Sequence, residues 1–238
     1  MANRLGVQAP YHGRVTPAQN RSRPERAVPR PDPGPTREAA PGAGSPPSET
    51  AAGRAAVVVV PVKAFSQAKM RLAPVLGPEQ RAALARKMAE HVLAAAAPLP
   101  VVVVCDDEEV ATWARSRGAR PLPEPGLGLN GAVNAAVAQL SEEGYRRLVV
   151  AHADLPLASD LPRLAEVQGI ALVPDRHLEG TNVISVPAGC GFRFAYGPGS
   201  FSRHQDEAAR TGLPWRVIHD PGLAWDVDFP SDMAAVTL

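Results

Sequence analysis

The chain has 238 residues, with 25 Lys and Arg against 24 Asp and Glu, and 45% of its residues are hydrophobic. This composition is typical of a globular α/β protein. Two cysteines, Cys105 and Cys190, are too few for a disulfide-rich scaffold or a cysteine-rich zinc site. The longest purely apolar runs have strand length, far below the roughly 18 residues of a membrane span. We therefore expect a cytoplasmic protein that does not enter a membrane.

The charge balance divides the chain into two parts. Residues 1–56 carry eight Arg and no Lys against four acids, whereas the rest carries 17 basic and 20 acidic residues. Ten of the 26 prolines also lie in the first part, which has few large apolar side chains. So little apolar surface cannot offset the entropy of ordering the backbone, which predicts a disordered tail over 1–54. The proline density argues against a transit peptide, and the interleaved acids argue against a nucleic-acid-binding arm.

From Ala55 onward, apolar runs alternate with amphipathic segments. Strands are predicted at 55–62, 100–105, 119–122 and 147–151, and helices at 78–97, 106–118 and 129–140. Strand-length runs of Val without polar alternation are typical of strands covered on both faces. The order βαβαβαβ predicts right-handed crossovers and a mostly parallel sheet with helices on both faces. Further along, the pattern predicts helices at 160–167 and 202–211, strands at 170–174, 182–187 and 215–218, and a short helix that starts near Pro230.

In open α/β sheets the ligand lies beyond the carboxyl ends of the strands, and a basic segment follows the first predicted strand. Residues 61–72 read PVKAFSQAKMRL and contain two of the three lysines of the chain, Lys63 and Lys69, together with Arg71. These cations would neutralise a polyphosphate. The alternative is a basic loop that only faces solvent. A P-loop is excluded because GxxxxGK[ST] is absent.

Carboxylates follow two other predicted strand ends. Asp154 ends a buried strand in HADLP, and Asp226 and Asp228 lie in WDVDFPSD, where their spacing in extended chain places them on one face. Together these oxygens suit Mg²⁺, which accepts a few carboxylates when phosphates and water complete its octahedron. Helix caps and turns are the alternative roles, and Asp232 of the same segment is a further candidate for a cap of the last predicted helix.

Glycine and polar residues mark a second ligand-binding candidate. The Gly197–Ser200 turn precedes a predicted helix, where backbone N–H groups hold anions. Thr181 enters a strand after a Gly turn, and Asn130 begins a helix after a Gly-rich loop, where capping is its ordinary role. His152 is interpreted as structural, and His204 as a surface or capping residue.

Six motifs in this order, PVKxxxxAKxRL, GLN, ADLP, PDRxxxGTN, FxxGPGSxxRH and DVDxPxD, resemble the 2-phospho-L-lactate guanylyltransferase family over residues 57–236. That family includes the phosphoenolpyruvate guanylyltransferases of coenzyme F-420 biosynthesis. The resemblance implies a GT-A-type, Rossmann-like nucleotidyltransferase that uses GTP and Mg²⁺. It would transfer GMP to phosphoenolpyruvate or 2-phospho-L-lactate, release pyrophosphate and pass its product to a downstream transferase.

The resemblance also implies a role for each matching residue. Lys63, Lys69 and Arg71 would contact the triphosphate, and Asn130 would lie near the nucleoside. Asp154 and Asp228 would bind Mg²⁺, with Asp226 orienting the loop or joining the metal. The phosphorylated acid would be held by Thr181, Gly197 and Ser200. Relative to the family pattern, Met70 replaces a small hydroxyl residue and Tyr196 is an extra residue.

Two other functions are compatible with the sequence. One is a nucleotidyltransferase for a sugar phosphate or molybdopterin, although the Gly-rich signature usual after the first strand is absent. The other is a catalytically silent nucleotide-binding protein. The choice between phosphoenolpyruvate and 2-phospho-L-lactate stays open at this point.

Overall fold

The computed structural model describes residues 55–235, so the predicted tail over 1–54 lies outside the described residues. The described strands are β1 (Val57–Pro61), β2 (Val101–Cys105), β3 (Arg120–Pro123), β4 (Arg147–Ala151), β5 (Ile170–Pro174), β6 (Thr181–Pro187) and β7 (Trp215–Val217). The described α-helices are α1 (Pro78–Ala95), α2 (Glu108–Ser116), α3 (Gly128–Glu142), α4 (Pro162–Ala165) and α5 (Ser200–Arg210). Short 3-10 helices span Phe65–Gln67, Met70–Leu72 and Pro230–Ala235.

The strands form one sheet in the order β3-β2-β1-β4-β6-β5-β7. All pairings are parallel except those of β6, which is antiparallel to β4 and to β5. The mostly parallel sheet is therefore confirmed. The exception has a local cause, because the link between β5 and β6 is too short for the crossover that parallel strands need. Its turn is held by Asp175, whose carboxylate accepts the N–H groups of Glu179 and Gly180.

Helices cover both faces of the sheet, as predicted. Val58 and Val60 of β1 face a core that includes residues of α1 and α2, whereas Val57 and Val59 face a core that includes residues of α3 and α5. Because both faces of β1 are buried, its apolar run has no polar alternation. In the described part of the chain, no helix is long and apolar enough to cross a membrane.

Helix boundaries mostly follow local capping signals in the sequence. Asp107 caps α2 by accepting the N–H of Val110 at 3.0 Å, and Gly118 follows the helix at a φ of 75°. The predicted helix over 160–167 is wrong in length, since only Pro162–Ala165 is helical. Asp160 has a φ of 46°, which lies in the left-handed region and cannot belong to a right-handed helix.

Candidate functional site

A cavity of about 600 Å³ opens at the carboxyl ends of β1 to β4, where the sequence predicted the ligand to lie. Its floor is formed by strand ends, and its walls come from α1, α3 and the basic segment after β1. Five of the predicted site residues line it: Lys63, Lys69, Arg71, Asp154 and Asp228. The topology thus brings together three separate segments of the sequence.

Lys69 is the centre of the charged part of this cavity. Its Nζ lies 2.5 Å from Oδ2 of Asp154 and 3.2 Å from Oδ1 of Asp228. Its backbone has a φ of 52°, which turns the chain between the two 3-10 helices that follow β1. The side chain is only 10% exposed, so its ammonium group interacts with the two carboxylates largely out of water.

Arg71 and Lys63 are the more accessible cations. The Arg71 Nη1 lies 2.9 Å from Oδ2 of Asp228, and its guanidinium stacks 5.2 Å from the centre of the Phe229 ring. Lys63 is exposed and makes no hydrogen bond or ion pair among residues 55–235. We call Lys69, Arg71, Asp154 and Asp228 the charged cluster.

The buried charges of this cluster support one another. Burial opposes the negative charge of Asp154, but the positive charge of Lys69 and the interaction with His152 outweigh it and hold the Asp154 pKa below its usual range. Burial likewise opposes the charge of Lys69, and the two carboxylates outweigh it and raise the Lys69 pKa. The second carboxylate oxygen of Asp154, Oδ1, is buried and has no hydrogen-bond partner in the described part of the chain.

Asp226 has a different partner from Asp228. Its carboxylate lies 3.5 Å from Arg176, which also contacts Asp232 at 2.5 Å and stacks 4.4 Å from the Trp225 ring centre. Burial, followed by the charges of Asp154 and Asp228, raises the Asp226 pKa. These contacts fit the predicted role of Asp226 in orienting the loop.

The loop that carries Asp228 is docked by backbone hydrogen bonds. Val227 donates its N–H to the carbonyl of Asp154 at 3.3 Å, and Asp232 accepts the N–H groups of Asp228 and Phe229 at 2.9 and 2.7 Å. Sequence reasoning assigned no role to Arg176 and left Asp232 as a possible cap. The sequence features that could have indicated Arg176 and Asp232 are the charged residues of the PDR and PSD segments.

A second group of predicted residues lies outside the cavity wall. Thr181 is 1% exposed, and its Oγ1 lies 2.9 Å from Nδ1 of His204. The other ring nitrogen of His204, Nε2, lies 2.9 Å from the backbone N of Ala195 and accepts its hydrogen. The proton of the neutral ring therefore lies on Nδ1, which donates to Thr181. Burial and the neighbouring charges of Arg203 and His152 lower the His204 pKa to about 4, so the ring is neutral at pH 7.

Asn130 and Asn134 hold the segment before the GPGS turn. Asn130 accepts the N–H of Tyr196 at 2.6 Å and donates to its carbonyl at 3.1 Å. Asn134, one helical turn later, makes the same two bonds to Phe194 at 3.0 Å each. The side-chain amide of Asn130 is thus occupied by the backbone, although its neighbour Leu129 lines the cavity. We call Asn130, Asn134, Thr181 and His204 the neutral network.

The GPGS turn lies against this network at the start of α5. Gly197 has a φ of 121°, which favours glycine, and its carbonyl accepts the N–H of the buried Ser200 at 3.0 Å. The guanidinium of Arg203 donates to the carbonyls of Ala195 and Pro198 at 3.0 and 2.6 Å. Arg203 therefore closes the turn through its hydrogen bonds to these carbonyls.

His152 joins the neutral network to the cavity. Its ring lines the cavity and lies 4.8 Å from the ring centre of Tyr196. Its Nε2 and the Tyr196 hydroxyl are buried without a hydrogen-bond partner in the described region. Sequence analysis interpreted His152 as structural and missed this position, for which the only signal was its place two residues before Asp154.

A likeness to solved structures supports the fold. The chain resembles a nucleotidyl transferase from a Methanothermobacter, with a TM-score of 0.55 and 15% identity, over 76% of this chain and 95% of that one. It also resembles a cytidylyltransferase from Leptospira borgpetersenii, with a TM-score of 0.51 and 10% identity, over 75% and 83% of the two chains. At these identities the likeness concerns the fold alone.

Relatives in sequence are more specific. A phosphoenolpyruvate guanylyltransferase of Sphaerobacter thermophilus is 39% identical over 186 residues, which cover 74% of this chain and 90% of the relative. Another, of Rubrobacter xylanophilus, is 39% identical over 185 residues, with the same coverage of both chains. Residues 56–238 match the family described as Guanylyl transferase CofC like. The chain therefore belongs to the CofC-like guanylyl transferase family and is a nucleotidyltransferase.

Proposed function

We propose that this enzyme transfers GMP from GTP to phosphoenolpyruvate and releases pyrophosphate. The observation that carries the proposal is the charged cluster, which places cations for a triphosphate directly beside carboxylates for a metal ion. The two relatives described above are named for phosphoenolpyruvate, which favours it over 2-phospho-L-lactate as the acceptor.

The basic segment after β1 would bind the triphosphate. Lys63 and Arg71 are exposed at the cavity, and a polyphosphate would give them the anionic partners that suit Lys and Arg. Lys69 is held at a fixed place by its ion pairs, so its charge is positioned before the nucleotide arrives. Such preorganised charge stabilises a transition state without reorganisation at the moment of reaction.

Asp154 and Asp228 fit Mg²⁺ as its protein ligands. Both are hard oxygen donors near Lys69, and the buried Oδ1 of Asp154 has no other partner among the described residues. No group of three or more His, Cys, Asp or Glu suited to a metal occurs in the described part of the chain. A site of two carboxylates is nevertheless the sparse kind that Mg²⁺ accepts when phosphates and water supply its other ligands. When bound, the ion would polarise the phosphoryl group and offset its charge.

The reaction needs no protein base. The acceptor phosphate is ionised at neutral pH, so its oxygen can attack the α-phosphorus of GTP directly. One P–O bond forms to the acceptor as the bond to pyrophosphate breaks, and charge is balanced without moving a proton. The positive side chains of the charged cluster would reduce the repulsion between the two anions and hold them in line.

The acceptor would lie towards the Gly197–Ser200 turn and Thr181. Supporting this, the turn precedes the 11-residue helix α5, whose N-terminus favours anions. Thr181 is buried beneath His204 and does not line the cavity, so a role through the shape of this region fits better than direct contact of its side chain.

The test measures pyrophosphate release from GTP in Mg²⁺ with phosphoenolpyruvate, with 2-phospho-L-lactate or with no acceptor. We expect release that depends on both Mg²⁺ and phosphoenolpyruvate. Release with 2-phospho-L-lactate alone would identify that acid as the acceptor in place of phosphoenolpyruvate. No release with either acid would contradict the proposal. A place in coenzyme F-420 biosynthesis, with a downstream transferase, and a cytoplasmic location stay predictions.

A further inference from the structure

The end of the cavity farthest from Asp154 carries two carboxylates that the proposed reaction does not use. Asp106 directly follows β2, and Glu124 directly follows β3. In the sheet order, β3 is three strands away from β4, which is roughly 14 Å at ordinary strand spacing. The two ends of the cavity therefore differ in charge: the charged cluster with its cations lies at one end, and Asp106 and Glu124 lie at the other.

Neither of these carboxylates has a hydrogen-bond or ion-pair partner within residues 55–235. Glu124 is half-buried, and its backbone N–H donates to the carbonyl of Cys105 at 2.8 Å, which fixes its position beside the end of β2. Asp106 is exposed. Glu124 has a fixed backbone, is less exposed than Asp106 and has no protein partner in the described part of the chain, so its carboxylate is the better placed to accept hydrogen bonds from a ligand.

Apolar side chains from the start of α3, which begins four residues after Glu124, line the same cavity. They belong to Leu129 and Ala132. Leu129 is 44% exposed, which leaves a large apolar surface uncovered at the cavity wall. A flat heterocycle lying against Leu129 would cover this surface and direct one of its edges towards Glu124.

We propose that Glu124 selects guanine by accepting hydrogen bonds from its N1–H and its 2-amino group. This inference rests on the proposed function, because it takes GTP as the nucleotide. With the triphosphate at the charged cluster, the base extends towards β3, and the acids at that end disfavour the reverse orientation. Of the common bases, guanine alone presents two adjacent donors on this edge, whereas adenine, cytosine and uracil each place an acceptor there. A carboxylate built to accept both donors rejects bases that leave it unpaired.

The test compares GTP, inosine triphosphate and ATP as substrates for the intact chain and for Glu124→Gln. Inosine triphosphate keeps N1–H and lacks the 2-amino group. For the unaltered protein we expect kcat/KM to be about 30-fold lower with inosine triphosphate than with GTP, the size expected for one hydrogen bond to a charged group. Glu124→Gln should lower kcat/KM for GTP by about 100-fold, mainly through KM, and bring the ratio of GTP to inosine triphosphate close to 1.

Glu142→Gln is the matched control, because it removes the same charge from the exposed last residue of α3, away from the cavity. Its preference for GTP should be unchanged. An unchanged preference for GTP over inosine triphosphate in Glu124→Gln would overturn the proposal. Loss of this preference in Asp106→Asn and not in Glu124→Gln would overturn it as well. Failure of the proposed function is distinguishable, since the unaltered protein would then release no pyrophosphate from GTP. Urea unfolding of each variant would show that it is folded.

Discussion

The charged cluster lines the cavity, the neutral network lies outside the cavity wall, and the two regions are built differently. The cluster consists of ion pairs centred on Lys69, whose carboxylate partners are also the candidate metal ligands. The network consists of hydrogen bonds in which Asn130, Asn134 and His204 already satisfy backbone groups of residues 194–196. A charged ligand can replace one partner of an ion pair in the charged cluster. The neutral network keeps its hydrogen bonds and its shape without a ligand.

This difference predicts how each region responds to mutation. Removing one charge from a buried ion pair leaves the other charge unpaired, which is strongly destabilising until another ion replaces it. Removing a neutral hydrogen bond costs less and cannot be repaired by a metal ion. The following predictions test this contrast from the largest effect to the smallest.

Asp154→Asn should lower kcat for guanylyl transfer by on the order of 10³-fold. The variant loses the anionic oxygen that is proposed to bind Mg²⁺ and also loses the ion pair with Lys69. Steady-state pyrophosphate release measures the effect. Asp160→Asn is the control, because Asp160 is exposed and Asn tolerates its positive φ. Normal turnover and an unchanged Mg²⁺ requirement in Asp154→Asn would show that Asp154 does not bind the metal ion.

Lys69→Met should lower the free energy of unfolding of the ligand-free protein by about 3 kcal/mol, because Asp154 then keeps a buried charge without its partner. Added Mg²⁺ should restore more stability to this variant than to the unaltered protein. Urea unfolding with and without Mg²⁺ measures both effects.

Lys63→Met is the control for this variant, since Lys63 is exposed and has no ion-pair partner in the described region. We expect a change in unfolding free energy within about 0.5 kcal/mol for it. Equal urea midpoints for the two variants would contradict the role of Lys69 as the centre of the cluster.

The stability of the neutral network should depend on pH through His204. Its folded pKa of about 4 lies below the ordinary value of 6.5, so between these values the unfolded state binds more protons than the folded state. The free energy of unfolding therefore falls as pH decreases, by roughly 2 kcal/mol from pH 6.5 to 4.5 for this group. His204→Gln lacks the titration, and the difference between its urea unfolding profile and that of the unaltered protein isolates the effect. Parallel profiles would show that His204 titrates normally.

Asn134→Ala should have the smallest effect, with a loss of about 1–2 kcal/mol in unfolding free energy from its two hydrogen bonds to Phe194. We expect the KM for phosphoenolpyruvate to rise and the KM for GTP to stay constant. Asn130→Ala should behave the same way if Asn130 only holds Tyr196. A rise in its KM for GTP would instead support the predicted contact with the nucleoside.

The charged part of the site could be predicted from local patterns. Buried Val runs located the strand ends, and parallel strands necessarily bring their carboxyl ends to one edge, which placed Lys63, Lys69 and Asp154 together. Strand β6 was placed correctly along the sequence, although its antiparallel direction was not assigned. The antiparallel direction follows from the turn held by Asp175, which keeps the link between β5 and β6 short.

The neutral network could not be predicted in the same way. Asn130 and Tyr196 are separated by 66 positions, and an amide that binds backbone leaves no periodic or local pattern at either end. Asn130 therefore looked like a cap, and the buried His204 looked like a surface residue. Helix α4 was predicted too long for a related reason, since helix propensity does not reveal the left-handed backbone of Asp160.

The central claim, that GMP moves from GTP to the acceptor phosphate, is tested most directly by ³¹P NMR of a reaction with GTP, phosphoenolpyruvate and Mg²⁺. The account predicts loss of both substrate phosphorus signals and the appearance of pyrophosphate together with a pair of mutually coupled signals from a new diphosphate linkage. Asp154→Asn should show none of these changes. Pyrophosphate accompanied by free GMP and unchanged phosphoenolpyruvate would contradict the claim, because water would then be the acceptor.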